Sequence, residues 1–132
     1  MSALLDTNII IRYVTGDPPA EALIAKDIID NEPDLMVTAH ILAEVAFVLG
    51  SVTYNVEREA IVDTLVDFLD KENVMTFGVP KDVVVESLWL CRPSRRVSFA
   101  DALLWASART TGHPVYTFDR RFPTDGIEVR RR

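Results

Sequence analysis

The sequence predicts an α/β protein, a three-layer sandwich with a central parallel sheet and helices on both faces. Two observations carry this. Short apolar runs of strand length alternate with longer segments of helical spacing along the chain. Glycines, prolines and capping residues stand where those segments start and stop. Size agrees: 132 residues, 48% hydrophobic and 26% charged, suit one domain over 1–132 with a real core. The chain shows no repeat and no low-complexity tract.

Taken in order, Ser2 to Leu5 reads as a short buried strand. Asn8 to Tyr13 reads as a helix ended by Gly16, Asp17 and two prolines. Pro19 to Asn31 has helical spacing at Ala22, Leu23, Ile24, Ile28 and Ile29. Leu35 to Val37 is a second brief strand, and Ala39 to Val48 a strongly apolar helix stopped near Gly50. Asn55 is placed to cap the next helix, where Ile61, Leu65, Phe68 and Leu69 share a face. Val74 to Phe77 is a third strand. Lys81 to Cys91 is a helix broken by Pro93, and Ser98 to Thr110 a helix ended by Gly112. Val115 to Phe118 and Ile127 to Val129 complete the strands, with Arg130 to Arg132 read equally as a frayed tail or as part of a functional basic segment.

The net charge of −6 is unevenly distributed. Residues 1–90 carry sixteen acids against five Lys/Arg, a net of −11. Residues 91–132 carry four acids against nine arginines, a net of +5 and no lysine. Arginine suits bidentate phosphate contact, which marks Arg95, Arg96, Arg120 and Arg121 as candidate RNA contacts. The rings of Phe99, Phe118 and Phe122 read as core rather than as platforms for bases. The single cysteine, Cys91, reads as a small buried hydrophobe and cannot form an internal disulfide, so a reducing cytoplasm is expected. No segment is apolar enough to span a membrane, and MSALLDTN lacks the pattern of a secretion signal.

Four acids stand out by position, and each has a plain alternative. Asp6 follows the first strand in LLDTNIII, where it would also cap a helix. Glu44 is the only acid between Asp34 and Glu57, inside HILAEVAFVLG, where burial and a pairing with His40 one turn earlier are expected. Asp101 in SFADALLWASA would form a capping box with Ser98. Asp119 in VYTFDRRF would pair with Arg120 or Arg121. In open parallel sheets, ligands bind at the carboxyl ends of the strands, so Asp6 and Asp119 should share one edge. Four close carboxylates would repel one another, and a divalent cation removes that penalty. An all-carboxylate set suits Mg²⁺ or Mn²⁺ rather than Zn²⁺. No HExxH, glycine-rich phosphate loop or GxSxG is present, and His40 and His113 are too separated for a triad.

LLDTN, a lone Glu in an apolar helix, SFADALLWASA and TFDRRF, in that order, resemble the PIN-domain ribonucleases. The size resembles the VapC-type toxins of bacterial and archaeal toxin–antitoxin pairs. The resemblance covers essentially the whole chain, though Glu57 to Arg96 carries no family motif. It implies a PIN-like three-layer sandwich and a Mg²⁺- or Mn²⁺-dependent endoribonuclease using one or two ions. Carried over by position, the acidic site falls on Asp6, Glu44, Asp101 and Asp119, with polar helpers at Thr7, Asn8, Ser98 and Thr117. It also implies a cognate antitoxin, a homodimer and an RNA substrate.

On this reading metal-activated water hydrolyses an RNA phosphodiester. Two alternatives compete. One is a non-catalytic RNA- or protein-binding domain on the same fold. The other is an aspartate-nucleophile phosphohydrolase using Asp6, but that chemistry wants a second Asp where Asn8 stands.

Overall fold

The computed structural model describes residues 2–131. Along them run β1 (Ala3–Leu4), α1 (Thr7–Thr15), α2 (Pro19–Asn31), β2 (Leu35–Thr38), α3 (Ala39–Leu49), α4 (Arg58–Leu69), β3 (Val74–Phe77), α5 (Lys81–Cys91), α6 (Phe99–Thr111), β4 (Val115–Tyr116) and β5 (Val129–Arg130). Two helices separate each strand from the next up to β4, the length of connection that parallel pairing requires. Every paired strand is parallel. Parallel strands with six helices fit the α/β three-layer sandwich expected from the sequence.

The strands hydrogen-bond as two ladders. β2 lies between β1 and β3, with Leu4 opposite Met36 and Met36 opposite Met75. β4 pairs with β5, placing Val115 opposite Val129 and Tyr116 opposite Arg130. β1 is shorter and more open than expected: Ala3 and Leu4 are exposed and burial starts at Leu5. The reason is its place at the end of its ladder, paired with β2 alone.

Local signals set most helix ends. Asp6, Thr38 and Ser98 cap α1, α3 and α6 with their side chains. Gly16 and Gly112 close α1 and α6 in the left-handed conformation, at φ 71° and 78°. Asn55 is a correction. The helix starts after Glu57, and Asn55 instead takes a left-handed turn at φ 49°, a conformation that Asn tolerates better than most residues.

The core joins all layers. Ile10 and Ile11 of α1, Leu42 and Val45 of α3, Leu65 and Leu69 of α4, Leu88 of α5 and Trp105 of α6 are fully buried. Each such side chain contributes about 1.5–3 kcal/mol by leaving water. α3 packs between α1 and α6, and α5 packs on both α4 and α6. Cys91 lies wholly inside, and burial pushes its thiol pKa up. Arg58 reaches from the start of α4 to the Cys91 and Val97 carbonyls, at 2.9 and 3.0 Å. Its guanidinium also covers the Phe99 ring at 4.7 Å. That one side chain fixes the loop that delivers Ser98 to α6.

The segment read as a tail is only partly one. Arg130 belongs to β5, and Arg131 donates to the Asp119 carbonyl at 3.0 Å. Arg132 lies outside the described residues. Of the three phenylalanines expected in the core, Phe122 is buried and Phe99 half-buried, but Phe118 is 90% exposed. Strand β4 ends at Tyr116, so Phe118 falls in the bend that follows it rather than on the buried face of a strand.

Candidate functional site

Asp6 stands at the junction of β1 and α1. Its backbone is extended, and its Oδ1 accepts the Thr7 N–H at 2.8 Å. The carboxylate is exposed, and its other oxygen has no bond within the chain among the described residues. The next residue, Thr7, is buried, and its hydroxyl donates to Oε2 of Glu44. Thr7 thus touches two acids at once, one through its amide and one through its hydroxyl. Asn8 is exposed and makes no side-chain hydrogen bond among the described residues.

Glu44 is exposed, contrary to the burial expected from its apolar neighbours. Leu42, Val45, Ala46 and Leu49 face inward, and Glu44 falls outside that stripe. It bonds Thr7 rather than His40, because packing of α3 on α1 brings the hydroxyl to it. Thr38 fixes the start of α3 by accepting the Ile41 N–H at 3.1 Å.

Asp101 lies in the first turn of α6. Ser98 Oγ accepts its N–H at 3.0 Å. The reciprocal half of a capping box, carboxylate to Ser98 N–H, is not made, which leaves the half-buried Asp101 carboxylate free. Ala102, Trp105 and Ala106 anchor this helix in the core, and Trp105 Nε1 donates to the Asp125 carbonyl at 2.9 Å.

Asp119 is held by its backbone neighbours rather than by a guanidinium. Its Oδ1 accepts the Arg121 N–H at 2.8 Å, and its own N–H donates to Thr117 Oγ1 at 3.0 Å. The expected pairing with an arginine side chain is replaced by this turn, because the residue two positions on presents its amide first.

None of the four acids forms an ion pair among the described residues; the pairs present involve Glu21, Asp30, Glu59, Asp63 and Glu128. Arg96, Arg120 and Arg121 line one cleft of about 450 Å³ together with Ser94, Phe122 and Asp125. Arg95 is exposed and lies outside that lining.

A family model described as PIN domain matches residues 3–124. The chain belongs to the PIN domain family. All four acids of this PIN domain, and the helpers Thr7, Asn8, Ser98 and Thr117, fall within the matched span, whereas β5 lies beyond it. The family is nuclease-type in general and typically uses divalent metal ions. No curated protein and no solved structure matches the sequence.

By donor type the four carboxylates fit a hard cation, since all are oxygen ligands. By placement they do not form a closed cage: among the described residues no three His, Cys, Asp or Glu side chains converge to hold an ion. No helix among them is long and apolar enough to cross a membrane.

Sequence reading missed Arg58, and it named Thr7 as a polar helper without foreseeing that its hydroxyl meets Glu44. Arg58 carried a weak signal as an isolated base ahead of an amphipathic helix. The Thr7–Glu44 bond carried none, because its partners are 37 positions apart.

Proposed function

We propose that this PIN domain is a divalent-metal-dependent endoribonuclease, the toxin of a toxin–antitoxin pair. The observation that carries the reading is the Asp6–Thr7–Glu44 connection. It couples two of the four motif acids, and none of the four is neutralised by a Lys or Arg among the described residues. Carboxylates left without a counter-ion at these positions favour cation binding over a purely structural role.

Asp6, Asp101 and Asp119 would hold one or two Mg²⁺ or Mn²⁺ ions, and Glu44 would complete the set. When bound, the ions would supply Lewis acidity for water activation and for charge on the phosphodiester. Glu44 orients the attacking water by accepting its hydrogen bond. Thr7 fixes the carboxylate rotamer through its hydroxyl. Ser98 and Thr117 hold the backbones of Asp101 and Asp119. Arg96, Arg120 and Arg121 grip backbone phosphates in their cleft, with Arg95 at its margin. The partners on this reading are RNA, a cognate antitoxin and a second copy of the chain, in a cytoplasmic setting. The resemblance of its motifs to VapC-type toxins supports that context.

The test is incubation of purified protein with mixed RNAs, with and without Mg²⁺ or Mn²⁺, beside Asp6→Asn and Asp101→Asn. Metal-dependent cutting lost in both folded variants is expected. Cleavage without metal, or by both variants at wild-type rates, overturns the mechanism. A second reading, RNA binding without hydrolysis, draws on the lack of three convergent ligands among the described residues. RNA retained but never cut, across tRNA, rRNA and mRNA, would establish it instead.

A further inference from the structure

Beside Asp119 the structure exposes an aromatic face that the acid site does not use. Tyr116, at the end of β4, is 60% exposed and Phe118, in the bend just after it, 90% exposed, and both line one hollow. An exposed phenylalanine at a strand end is costly to leave in water, by an amount comparable to what its burial would contribute. The β4–β5 ladder continues past Tyr116, because the Thr117 N–H donates to the Arg130 carbonyl at 3.2 Å. That bond carries the pairing as far as Thr117, and the chain bends at Phe118.

Basic groups border the same face. The Arg130 guanidinium lies 5.9 Å from the centre of the Tyr116 ring, and Arg131 donates to the Asp119 carbonyl. Tyr116, Thr117, Phe118, Arg130 and Arg131 together line a hollow of about 300 Å³. One acid, Glu128, pairs with Arg130, and Arg131 forms no ion pair among the described residues.

We infer that Tyr116 and Phe118 form a stacking shelf for unpaired nucleobases of single-stranded RNA. Flat aromatic faces beside guanidiniums match bases joined by phosphates, since stacking tolerates any base and the cations meet the backbone. A protein strand would also cover the rings and could set a carboxylate against Arg131; RNA is favoured because one strand of it supplies flat bases for both rings together with a phosphate at every step for the guanidiniums. The shelf adjoins Asp119 through the Arg131 bond, so bases stacked there would set which phosphodiester reaches the acids. This deepens the nuclease reading and rests on it for the choice of RNA. Arg130 and Arg131 lie beyond the residues that match the family model.

The experiment measures binding without cleavage. A single-stranded RNA carrying 2-aminopurine is titrated with full-length protein in EDTA, and a gel verifies that the RNA stays intact. Wild type is expected to change the 2-aminopurine fluorescence, as stacking does. Phe118→Ala should weaken binding by roughly 10-fold and remove most of that change, whereas Phe118→Trp should retain both. A duplex of the same sequence should bind more weakly, because its bases are already stacked. Equal affinity and fluorescence for wild type and Phe118→Ala overturn the shelf. So does a Phe118→Ala protein that loses self-association in sedimentation while its RNA signal is unchanged, which would assign the face to a second copy. Cleavage is assayed separately on the same preparations with Mn²⁺. An inactive wild type that still stacks 2-aminopurine refutes the nuclease reading and leaves the shelf standing.

Discussion

The buried hydroxyl of Thr7 donates to the exposed carboxylate of Glu44, tying the first turn of α1 to the middle of α3. One acid is thereby aimed by a residue adjacent to another, Asp6.

Thr7→Val keeps the side-chain shape and removes that bond. Glu44 is exposed and regains water, so the stability loss should be small, about 1 kcal/mol. For a chain of this length that lowers Tm by roughly 2–5 °C. On the proposed mechanism, kcat for RNA cleavage should fall at least ~10-fold with little change in KM, because a positioned group is lost while RNA contacts remain. Thr7→Ser should retain both. A wild-type kcat in a folded Thr7→Val protein would remove the positioning role.

Ser98→Ala deletes the oxygen that accepts the Asp101 N–H. The expected cost is about 1 kcal/mol, measured by urea denaturation. Ser98→Asp supplies another acceptor and should recover most of it. Equal loss in both variants would show that the cap contributes little.

Asp30 and Asp63 govern part of the acid response. Hydrogen bonding from Arg92 holds the Asp63 carboxyl below the usual range, and bonds from Lys26 and Lys71 do the same for Asp30. A lowered native pKa means that the unfolded state takes up protons first. The contribution is therefore complete above the unfolded value of ~3.9 and is lost as pH falls through the native one. Asp63→Asn and Asp30→Asn should each flatten the decline of stability below that pH. Both carboxylates are solvent-facing, so added salt should shrink the difference. An acid limb as steep as wild type in both variants would contradict the assignment.

Arg120 and Arg121 share the basic cleft, which predicts a salt-dependent grip on RNA. Removing one phosphate contact should reduce the slope of log K against log salt by about 0.7 for a single strand. Arg120→Ala and Arg121→Ala are compared by fluorescence anisotropy over a salt series. An unchanged affinity and slope would take that side chain off the RNA surface.

Much of the local structure was legible in the sequence because its causes are local. Asp6, Ser98, Gly16 and Gly112 end helices through contacts within a turn, and such contacts need no knowledge of the fold. The alternation of apolar strands with helices predicted the parallel α/β arrangement for the same reason. Asn55 shows the limit, since a good capping residue became a turn residue when the helix started at Arg58.

The sequence by itself determined the element order, the caps at Asp6 and Ser98, the buried thiol of Cys91 and the positions of the four motif acids. Only the tertiary structure decided that Glu44 lies outside its helix's inward stripe and meets Thr7 rather than His40. It alone decided that β1 stays open at the end of its ladder and that Phe118 stands in solvent beside Asp119. The physical reason is range. Capping and periodicity act over four residues or fewer, whereas exposure and side-chain partners depend on which elements, distant in sequence, come to lie against one another.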